Sequence, residues 1–161
     1  MNSNHLKTIG MALAAMILSI ATSLAAPYAA GSKVEPFTAK DPHGRAFTLK
    51  PAETKFLLVS HDMETGKKAN AALTARGKEY LGSKGAVYLA NIHGMPGIGR
   101  MFALRKMRKY NHRIILGEDA ALIARFPEQQ GKVTVLKLSK GSVASVNYWS
   151  PGEKNPDEFL K

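Results

Sequence analysis

"KFLLVSHDMETGKKANAAL", residues 55–73, decides the fold. Five apolar or small residues from Phe56 to Ser60 run without a break. That is the signature of a central strand covered on both faces, since a half-exposed strand would alternate. A helix is predicted directly after it, over about residues 66–81. Ala69, Ala72, Leu73, Arg76 and Tyr80 then share one side at helical spacing, and Gly82 and Gly85 bracket its stop. A buried strand feeding a helix calls for a second parallel strand beyond it. "GAVYLANI" (85–92) supplies one.

Further elements follow on both sides. "VEPFTAKDPHGRAFTL" (34–49) reads as a β-hairpin turning at Pro42 and Gly44, with Phe37, Phe47 and Leu49 on one apolar face. A second helix is expected from near Pro96, with Met95, Ile98, Met101 and Phe102 as its core face; beyond Leu104 the pattern breaks. "HRIIL" (112–116) is a third strand, and "GEDAALIARF" a turn with a short piece after it. "KVTVLKL" (132–138) and "SVASVNYW" (142–149), three residues apart around Gly141, form the strongest hairpin signal in the chain. In "NPDEF", Asn155 is a cap and Pro156 the first helical position. The fold class is therefore α/β, with a mixed central sheet flanked by helices.

This order, and the hairpin that precedes it, resemble the thioredoxin-like fold in its peroxiredoxin-type form, across nearly all of residues 31–161. In redox-active relatives the strand matching "FLLVS" leads into a Cys-x-x-Cys helix start. Here "HDMETG" fills those positions, and the chain has no cysteine. Such relatives also carry a cis-proline before the strand matching "VTVLKL"; here Val133 precedes Thr134. Thiol chemistry is excluded. What remains is similar to a group of cysteine-free, exported thioredoxin-like proteins, on the segments "NIHGMP" and "FALRKM". That group is often labelled flavin-containing dehydrogenase. The residues give the label no support: no strand leads into Gly-x-Gly-x-x-Gly, and Gly94, Gly97 and Gly99 have the reverse spacing. No cofactor and no metal ligand set is expected.

Residues 1–25 read as a signal peptide: a polar start with Lys7, an uncharged run from Met11, and small residues before a cut between Ala25 and Ala26. The run is shorter than the ~20 residues of a spanning helix. The expected mature chain, 26–161, is one periplasmic thioredoxin-like domain with no later transmembrane segment. It keeps 22 Lys and Arg against 12 Asp and Glu, a formal +10. That balance favours an anionic ligand or an envelope protein with an acidic surface, and export argues against nucleic acid.

Two parallel strands that are neighbours end on the same sheet edge, where open α/β sheets bind ligands. His61 and Asp62 follow the first of these strands and His93 the second. Beyond them, "RMFALRKMRKYNHR" (100–113) holds Arg100, Arg105, Lys106, Arg108, Lys109 and Arg113 with no acid among them. The candidate binding residues are His61, Asp62, His93, Arg100, Arg105 and Lys106. Two functions follow: a binding or accessory protein of the envelope, or a flavin-linked or metal-assisted oxidoreductase using the His61/His93 edge.

Overall fold

The computed structural model describes residues 25–161. The cleavage-site reading at residues 1–25 therefore lies almost wholly outside the described residues. A seven-stranded mixed sheet organises the molecule. Its strands are β1 (Thr38–Lys40), β2 (Ala46–Thr48), β3 (Phe56–Ser60), β4 (Ala86–Asn91), β5 (Ile115–Gly117), β6 (Val133–Ser139) and β7 (Ser142–Trp149). They lie in the order β2-β1-β5-β4-β3-β6-β7. β3, β4 and β5 are parallel; β6 runs antiparallel to β3 and β7 to β6. The hairpin β1–β2 joins at the far side, through an antiparallel bridge from Lys40 to Leu116.

All five residues of β3 are buried, as a strand between two layers must be. Alternation splits them. Leu57 and Val59 meet Leu89, Ile115 and Leu136 in one core, which Tyr28, Leu122 and Phe126 close. Phe56 and Leu58 face the other way, onto Tyr88, Val135 and Trp149, beneath Ala69 and Leu73 of α1 (Met63–Ala75). Trp149 is fully buried and Tyr148 partly exposed, as alternation along β7 requires.

α1 starts three residues earlier than the periodicity suggests, because Asp62 caps it. It stops at Ala75, because Gly77 takes a left-handed φ of 90°. Tyr80–Ser83 is a separate short helix, α2. α3 (Gly97–Met107) begins one residue after Pro96 and runs past Leu104. Its orientation reverses the expectation. None of its residues is buried: Ile98 is 73% exposed, Phe102 56% and Met101 51%. Ala103 and Met107 take the inner side instead, lining a cavity over β4, and Met107 packs on the second core. The pattern misleads here because an apolar helix face looks the same in sequence whether it is covered or not.

β5 starts three residues later than the "HRIIL" reading and ends one residue beyond it, and α4 (Ala120–Ile123) is the short piece after it. The β6–β7 turn uses positive φ at both Lys140 (50°) and Gly141 (81°), the two-residue hairpin geometry that twists with its strands. At the C-terminal end of the chain, Asn155 and Glu158 form a capping box over a 3-10 helix, Pro156–Glu158.

Candidate functional site

β3 and β4 pair in register from Phe56↔Ala86 to Ser60↔Ala90, so both end at the same level. His61, Asp62 and His93 therefore share the carboxyl edge of the sheet. Asn91 ties the two exits together. Its Nδ2 donates to the His61 carbonyl at 3.0 Å, and its Oδ1 accepts from the His93 backbone N–H at 2.9 Å.

The imidazoles diverge. β6 flanks β3 on one side and β5 flanks β4 on the other, and each ring turns to its own flank. His61 is 8% exposed, with Nε2 at 2.9 Å from Oγ1 of Thr134 on β6. The Thr134 hydroxyl spends its one proton on the Pro127 carbonyl, so Nε2–H of His61 donates to Oγ1. Nδ1 is left with a lone pair, 4.0 Å from a Glu128 carboxylate oxygen. Burial lowers the His61 pKa; the Glu128 and Asp62 charges oppose that without reversing it. At neutral pH the ring is uncharged.

His93 is exposed, and its Nδ1–H donates to the Glu118 carbonyl at 3.1 Å. Asp62 is spent on α1: its Oδ1 accepts from the Thr65 N–H at 2.8 Å and its Oδ2 from the Thr65 hydroxyl at 2.7 Å. Burial alone would raise its pKa. Those bonds, with one from the Glu64 N–H, hold it below the usual carboxylate range. The acid–base or metal pair that His61 and His93 suggest in sequence is thus a pair of separately anchored rings. Among the described residues no three His, Asp or Glu groups converge as metal ligands would.

The cationic segment divides as well. Arg100 is bound to the Glu118 carboxylate. Arg108 Nε donates to the Pro42 carbonyl at 2.7 Å, and Arg113 reaches Asp41 at 3.4 Å. Asp41 is almost fully buried. Burial would raise its pKa, but the backbone N–H and guanidinium of Arg45 and the His43 N–H keep it low. Arg108 and Arg113 are therefore structural. Among the described residues Arg105, Lys106 and Lys109 have no carboxylate within ion-pair distance. The Arg105 guanidinium lies 5.9 Å from the Phe102 ring centroid. Lys106 lines a cavity of about 70 Å³ between α1, β4 and α3, with Asp62, Met63, Asn91 and Met95.

Sequence reasoning missed Thr134, Glu128, Glu118 and Asn91. Of these only Thr134 carried a signal, as the residue standing by the place where redox-active relatives have a proline.

Comparison with known proteins shows the fold. No family model and no curated protein matches the chain. Solved structures do. A thiol:disulfide interchange protein of the DsbE kind from Chlorobium tepidum superposes with a TM-score of 0.57, at 13% identity over 83% of this chain and 95% of that one. A peroxiredoxin-like protein from Aquifex aeolicus gives 0.54, at 13% identity over 85% and 86%. A thio-disulfide isomerase from Thermus thermophilus gives 0.51, at 20% identity over 81% and 91%. The chain has the thioredoxin-like fold without a cysteine to run that fold's redox chemistry.

Proposed function

We propose that this is an exported, non-thiol thioredoxin-like domain of the periplasm, a binding or accessory protein whose sheet edge engages an anionic ligand or an acidic envelope partner. Residues 1–25 are its cleaved signal peptide and 26–161 the working domain. His61, Asp62, His93 and Arg100 build the edge, each fixed by a neighbour in the fold. Arg105 and Lys106 present unneutralised charge from it.

One observation carries this reading. Where the fold's redox-active members have a reactive thiol, this chain has a buried histidine bonded to Thr134 and a capping Asp62, while Lys106, with no carboxylate within ion-pair distance among the described residues, lines the same cavity as Asp62. The edge is built to hold its shape and attract negative charge. Among the described residues no helix is long and apolar enough to cross a membrane.

The test is crosslinked capture from the native envelope at low and high ionic strength, with the parent and Arg105→Gln/Lys106→Gln compared. Retention that falls with salt and with the double variant supports the proposal, because exposed charges are screened within about 8 Å at physiological salt. Retention indifferent to both contradicts it.

A further inference from the structure

We propose that α3 is a membrane-docking helix that seats the protein on an anionic bilayer surface. The inference rests on the binding reading above and names its partner.

Ile98, Met101 and Phe102 lie on one face of α3, and the opposite side, Ala103 and Met107, holds the helix to the body. Exposing one large apolar side chain is ordinary; exposing three neighbours on one helix is not. Among the described residues, nothing is packed over this apolar helix face. An extended peptide needs a groove or a free strand edge, whereas a lipid interface accepts a protruding helix.

The charges fit the same partner. Arg105 is one helical repeat from Ile98 and leans on Phe102, with Lys106 beside it and Lys109 just beyond. α3 carries no acid, and none occurs from Arg100 to Arg113. Apolar side chains flanked by long cations are what a bilayer of acidic lipids selects. The rings and branched chains enter the headgroup boundary, and the cations remain at phosphate level.

The test is sedimentation with phosphatidylcholine vesicles, with and without phosphatidylglycerol, using the chain as isolated from the exporting cell. Because parent and variants share one N-terminus, differences between them report on α3. The parent is expected to bind anionic vesicles and not neutral ones. Ile98→Ser/Phe102→Ser and Arg105→Gln/Lys106→Gln are each expected to bind about tenfold or more weakly. Phe102→Trp adds a direct reading, because the one native tryptophan, Trp149, is fully buried. Its emission moves to the blue on anionic vesicles and stays put with polyglutamate.

Equal binding to neutral and anionic vesicles overturns the proposal, as does an Ile98→Ser/Phe102→Ser variant that binds like the parent. Binding to polyglutamate as strong as to vesicles, and untouched by the apolar variant, overturns it in favour of an acidic protein partner. In that case salt-sensitive envelope capture would persist, and the broader binding reading would stand.

Discussion

His61 is fixed in position by its neighbours. Its ring fills the edge of the sheet, and the Thr134 hydroxyl, held by the Pro127 carbonyl, fixes its tautomer. Thr134→Val would leave both the Nε2–H and that carbonyl unpaired in a buried place. It is expected to lower stability by about 1–3 kcal/mol in urea unfolding, while Thr134→Ser keeps most of it. A second buried ring sets the acid response. His112, 5% exposed, sits 2.9 Å from Asn70 Oδ1 and stacks on Tyr110, and burial pushes its pKa down to about 4. Between pH 6.5 and about 4 the unfolded chain binds a proton there that the native chain refuses. Stability must therefore fall as pH falls through that window, by roughly 3 kcal/mol from this residue, and His61 adds in the same direction. Thermal melts across the window should show the loss, with a shallower slope in His112→Gln.

At the scale of elements, legibility in sequence followed burial. The continuous run of β3 and the hairpin of β6–β7 are readable because each pattern has one physical meaning, although the turn is one residue tighter than the spacing suggests. The ends of α1 depended on Asp62 and Gly77, single residues whose capping geometry outweighs periodicity. For the face of α3, sequence could name the apolar residues but not what covered them. The same limit applied at the site: strand order put His61 and His93 on one edge, but side-chain direction was set by Thr134 and Glu118, far away in the chain. The α3 finding has a direct test. Ile98→Ser/Phe102→Ser should leave unfolding within about 0.5 kcal/mol of the parent, the usual range for exposed sites. Leu73→Ala, in the fully buried face of α1, should cost about 2–5 kcal/mol. β5 offers a stricter case. A Cβ at Gly117 would stand 2.5 Å from Ile123 Cδ1 and 3.2 Å from the Ala90 carbonyl oxygen. Gly117→Ala should therefore cost about 1–3 kcal/mol by overpacking α4 against the sheet.

On the scale of the whole molecule, the two cores are ordinary and the surface is specialised. A formal +11 over the full chain, +10 without Lys7, gives a long-range pull on anions. α3 turns that general attraction into a local one, because among the described residues its Arg105 and Lys106 have no carboxylate within ion-pair distance and its apolar face has no cover. The sheet edge beside it is held in shape by hydrogen bonds. Amide hydrogen exchange, followed with and without the protein's own envelope fraction, tests this most directly. The account predicts that protection gained on adding the envelope is confined to residues 61–63 and 91–109, and that high salt abolishes it. Protection at the opposite end of the sheet, around Lys55 and Lys137, or none at all, would contradict it.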